Sequence, residues 1–75
     1  MLNFITATNV TTRRDMLINL DNVIRIDSTD SGMTEFTDVH GDAFFTEEPY
    51  DNVAATIGLI RATYMAQHQK GLDND

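Results

Sequence analysis

The alternation of apolar and polar residues divides the chain into a series of extended segments followed by one helix. Residues 2–10 are rich in Thr, Val, Ile and Phe and carry no helical period, which predicts a first strand. Leu2, Phe4 and Thr6 alternate with Asn3, Ile5 and Ala7, so the pattern does not separate its two faces. The polar run 11–15 predicts a hairpin loop, residues 16–20 a short second strand, and Asp21-Asn22 a turn. Residues 23–27 form a third predicted strand. Strict alternation there puts Ile24 and Ile26 on one face and Arg25 and Asp27 on the other. Residues 28–32 are short polar side chains ending in Gly32, which supplies a positive φ for a turn. Residues 33–39 predict a fourth strand and residues 42–46 a fifth, with His40-Gly41 between them in the place of a two-residue hairpin turn.

The helical signal follows. Pro49 suits a first helical position, where no N–H is required. Glu47, Glu48 and Asp51 put negative charge at the positive end of the helix dipole, and Lys70 sits near the other end. Gly71 predicts the stop, giving one domain over residues 1–71 and a frayed tail over 72–75. Val53, Ile57, Ile60 and Tyr64 fall within about 60° of one another on a helical wheel and form the stripe expected to dock on the sheet. The fold class is therefore α+β: a small antiparallel β-meander of four to five strands with one C-terminal α-helix packed on it.

The far side of that helix departs from the usual pattern. Ala55, Gly58, Leu59, Ala62, Met65 and Ala66 cover it, and Arg61 is the only charged residue between Asn52 and Gln69. A helix that faces water normally carries charge on its outer side. The small residues would let another backbone approach closely, which points to a second contact surface, most simply helix against helix between copies. An Ala-rich face chosen for helix propensity alone is the competing reading.

Composition narrows the partners. Twelve acidic residues against five basic ones give a net charge of −7 in 75 residues. No basic footprint for nucleic acid is present, and an anionic membrane surface would repel the chain. No apolar run reaches the length needed to span a bilayer, and the first residues lack the pattern of a signal peptide, so a cytoplasmic location is expected. The absence of cysteine removes disulfides and thiolate chemistry. A domain this small has a slim core, and association with a copy of itself is one way to add stability.

No catalytic constellation appears. His40 and His68 do not form a ligand pair, and His40 with Asp38 and Asp42 reads as an ordinary exposed turn rather than a metal site. Glu47 and Glu48 are explained by their place at a helix start. No enzyme activity, metal or cofactor is expected. Arg13-Arg14 on the first loop, joined by Arg25 if that loop folds over the sheet, is a candidate anchor for an anionic ligand; a solvated loop is the plainer alternative.

The segments Leu17-Ile18-Asn19-Leu20-Asp21-Asn22-Val23-Ile24-Arg25-Ile26, His40-Gly41 and Phe45-Thr46-Glu47-Glu48-Pro49-Tyr50-Asp51-Asn52-Val53 resemble the small flagellar FlbD-type family over residues 17–60. The resemblance implies strands followed by a terminal helix and carries no catalytic residues. The chain departs from it at residues 11–15, which replace a short glycine turn, and in its longer Ala-rich helix. Small accessory proteins of phages and mobile elements share this size and acidity. The function expected is that of a non-enzymatic, self-associating interaction module. The alternatives are an acidic inhibitor or mimic that presents Asp27, Asp30, Glu35, Asp38 and Asp42 to a basic protein partner, or a small anionic-ligand binder.

Overall fold

The computed structural model describes residues 3–73, with the side chains of all but Tyr64 and residues 67–73. Five strands precede one helix: β1 (Phe4–Thr8), β2 (Asp15–Asn19), β3 (Val23–Ser28), β4 (Thr34–Asp38), β5 (Ala43–Thr46) and α1 (Tyr50–Asp73), with a 3-10 turn (Leu20–Asn22) between β2 and β3. The architecture is the expected α+β one, but the strands fall into two sheets, β1-β2 and β3-β4-β5. They meet at an antiparallel bridge between Asn9 and Thr46. There the Val10 N–H donates to Phe45 O at 3.0 Å and the Glu47 N–H donates to Thr8 O at 2.9 Å. This single bridge sets the β1-β2 hairpin beside β5, and β3 remains an edge strand of its three-stranded sheet.

In β1 the ambiguity of the sequence resolves toward Ile5 and Ala7, which are buried, while Phe4 and Thr6 point out. With Ile18, Phe36 and Val53 they form the core, and Met16, Leu20, Val23, Ile26, Phe44, Ile57 and Ile60 pack against it. Phe36 and Phe44 are directly opposite on β4 and β5, and their rings stack with centroids 5.3 Å apart.

The third strand corrects the expected alternation. The register moves from Val23↔Asp38 to Arg25↔Thr37, so two steps on β3 match one on β4, and Ile24 is the extra residue of a β-bulge. Val23 and Ile26 therefore face inward together, and Ile24 is 64% exposed. The turn at His40-Gly41 is likewise longer than expected. Asp38 N–H donates to Asp42 O and Gly41 N–H donates to Asp38 O, enclosing a three-residue loop, Val39-His40-Gly41. The β3–β4 turn repeats the device: Thr29 N–H donates to Met33 O, Gly32 N–H donates to Thr29 O, and Gly32 and Gly41 both have φ of 86°. The first loop closes differently. Asn9 Oδ1 accepts from the Thr11 and Thr12 N–H groups, and Arg13 takes a φ of 60° without being glycine.

The start of the helix is tied to the sheet by polar groups. Thr8 N–H donates to both carboxylate oxygens of Glu48, at 2.9 and 3.1 Å. Thr34 Oγ1 donates to Glu48 O at 2.9 Å, and Tyr50 N–H donates to Gly32 O at 3.2 Å. Thr34 and Thr46 are fully buried, and Thr46 Oγ1 reaches Thr34 O. Pro49 lies one position before the helix, and its carbonyl accepts the Val53 N–H at 3.1 Å. Val53, Ile57 and Ile60 dock as expected; the side chain of Tyr64 lies outside the described residues. The helix does not stop at Gly71 but continues to Asp73, so Leu72 and Asp73 are helical rather than tail; residues 74–75 lie outside the described residues. Glycine permits a left-handed stop without imposing one, and inside a helix it merely costs about 1 kcal/mol relative to alanine.

Two stability predictions follow from these contacts. Glu48→Ala leaves the Thr8 N–H without its acceptor and should lower unfolding free energy by roughly 1–3 kcal/mol in urea titration, with Glu48→Gln losing less because an acceptor oxygen remains. Arg13→Gly should raise the melting temperature, whereas Gly41→Ala should lower it, since a non-glycine residue in the left-handed region costs about 1–2 kcal/mol. An unchanged urea midpoint in Glu48→Ala would remove the clamp from the account of the fold.

Candidate functional site: an exposed helix face and a groove beside it

Twenty-four residues of helix extend about 36 Å at the usual rise, in a molecule whose longest dimension is 49 Å. Among the described side chains, those the sheet engages lie in the first part. Val53, Ile57 and Ile60 face it, and the described side chains beyond Ile60, namely Arg61, Ala62, Thr63, Met65 and Ala66, are all exposed. Beyond Ile60 the sheet therefore covers none of the described side chains.

The structure brings the six residues expected at a contact surface onto an open face. Ala55, Gly58, Leu59, Ala62, Met65 and Ala66 are exposed, with Leu59 at 70% and Met65 at 60%. A Cβ placed on Gly58 would meet nothing within 4 Å. The threonines add to the apolar character. Thr56 Oγ1 donates to Asn52 O at 3.0 Å and Thr63 Oγ1 donates to Leu59 O at 2.9 Å, so each hydroxyl proton is spent on its own helix.

Beside the helix lies an open groove of about 690 Å³. Leu20, Val23, Ile26, Ile57 and Ile60 give it an apolar lining, and Arg25, Arg61, Asp21 and Asn3 stand around it. Asn3 Nδ2 donates to Asp21 Oδ1 at 3.1 Å. Arg25 Nε donates to Asp27 Oδ2 at 2.7 Å, and this hydrogen bond raises the guanidinium pKa above its ordinary value. The expected grouping of Arg25 with Arg13 and Arg14 is not found at this groove: Arg13 and Arg14 are exposed on the first loop and do not line it. Arg61 stands there instead. Its signal in the sequence was its isolation as the one charge in an otherwise uncharged helical run.

Several of the acidic residues have local duties. Asp27 holds Arg25, and Asp38 Oδ1 accepts from the His40 and Asp42 N–H groups, at 2.9 and 3.0 Å. Glu48 is committed to Thr8. Among the described residues no three His, Asp or Glu side chains gather as a metal site, and no helix is long and apolar enough to cross a membrane. Compared with protein-family models, curated proteins and solved structures, the chain has no significant match in any of the three.

Proposed function

We propose that the chain is a non-enzymatic interaction module that self-associates through the outer face of its helix. The observation that carries this reading is the open face: over residues 52–69 Arg61 is the only charged residue, and Leu59 and Met65 stand exposed. A contiguous apolar patch of this kind marks an interface more often than isolated exposed side chains do. Burying such a side chain contributes about 1.5–3 kcal/mol, and pairing two copies buries each of them twice over. Small residues at 55, 58, 62 and 66 suit close approach of a second helix.

Light scattering on the purified chain should give a molar mass at least twice that of one copy, falling on dilution. Ala62→Glu puts a charge in the centre of the face and should lower the mass by breaking the helix contact, with an unchanged circular dichroism spectrum. A wild-type mass equal to one copy at every concentration would end the proposal.

A further inference from the structure

β3 is an edge strand, and its free side presents a pattern complementary to itself. Thr29 N–H donates to Met33 O at the mouth of the hairpin, so hydrogen-bonded pairs alternate down the ladder at Asp27↔Glu35 and Arg25↔Thr37. The N–H and C=O groups of Ile26 and Ser28 consequently point away from β4, and they take no partner among the described residues. Natural proteins usually protect such an edge with a charge or a bulge. Here the bulge lies at Ile24, near the start of the strand, and leaves residues 25–28 in regular register.

The charges around Ile26 decide what fits. Arg25 and Asp27 flank it symmetrically and lie on the outer face. Asp27 also stands directly opposite Glu35 on β4, so two carboxylates share one arginine. We propose that β3 pairs antiparallel with β3 of a second copy about a two-fold axis through Ile26. Ile26 then exchanges both backbone hydrogen bonds with its counterpart, and Arg25 of each copy lies opposite Asp27 of the other. The second arginine relieves the Asp27–Glu35 pair, and opposite charges meet at both ends of the contact. The second copy's Ile26 projects to the same side as the first, toward the groove walled by Ile57 and Ile60. Two three-stranded sheets become one of six. An isologous contact of this kind closes on itself rather than propagating. It is a separate surface from the helix face, and either can hold without the other.

Charge reversal tests the pairing in the full chain by sedimentation equilibrium, in the wild-type and the Ala62→Glu backgrounds. Arg25→Asp alone and Asp27→Arg alone each place like charges across the axis and should weaken association at least about tenfold. A 1:1 mixture of the two restores both attractive pairs and should recover wild-type affinity as a heterodimer. Loss of the contact within one chain could not be repaired by mixing. Arg25→Cys mixed with Asp27→Cys should also form a mixed disulfide faster than either variant alone, because the two positions face each other at about 4.5 Å between Cα atoms. This second measurement avoids charge reversal, and the chain has no other cysteine. Single variants that associate like wild type, or a mixture no tighter than its components, would overturn the pairing. Failure of Ala62→Glu to lower the molar mass further in the Arg25→Asp background, where the strand contact is already broken, would instead strike the helix reading alone.

Discussion

The bidentate hold of the Glu48 carboxylate on the Thr8 N–H is the contact from which the arrangement of the molecule follows. It joins the end of β1 to a residue two positions before the helix. The Glu47 N–H bond to Thr8 O closes the same joint from the other side. Because Thr34 Oγ1 also holds Glu48 O, the two sheets and the start of α1 meet at one set of hydrogen bonds. A carboxylate bonded to a backbone N–H is stronger than a neutral pair, and removing it would leave a donor unpaired. The direction in which the helix leaves the sheet is set here, within a few residues. The exposed face depends on that direction, since among the described side chains of the helix the core takes in Val53, Ile57 and Ile60.

Local features of the sequence report the parts of this design that are themselves local. Gly32 and the short polar residues before it do form a turn with positive φ. The inward helix residues up to Ile60 follow from spacing, and the strand boundaries lie close to the runs of branched and aromatic residues. Ile24 was misassigned because strict alternation assumes one residue against one, and an inserted residue leaves no mark in a pattern of period two. The three-residue turn at Val39-His40-Gly41 is hidden for a similar reason: Gly41 announces a positive φ but not the number of residues enclosed.

The non-local features were not legible. Nothing near Asn9 names Thr46 as its partner, and nothing near Glu48 names Thr8, which is 40 residues away. The helix dipole gave a sufficient local reason for an acidic residue at that position, and so concealed the tertiary one. The helix face was legible because the absence of charge over a long helical run is itself a pattern. The groove was not, since it combines the 3-10 turn, β3 and α1, which come together only through the fold.

Net charge sets a final constraint on any contact between copies. Two chains of −7 repel at long range, so association requires surfaces where the local balance is neutral or positive. Asp51 is the one acidic residue among the described side chains of the helix, in its first turn, and beyond it Arg61 is the only charge. On the free edge of β3, Arg25 and Asp27 cancel. Much of the acidity lies elsewhere, on Asp15 at the end of the first hairpin, on Asp30 in the next turn, and on Asp38 and Asp42 flanking the last. Acidic residues in those places keep unrelated contacts apart, while the two surfaces spared from them remain able to approach. An excess of negative charge of this kind opposes nonspecific association, and on the proposed reading it leaves the helix face and the strand edge as the places of close contact.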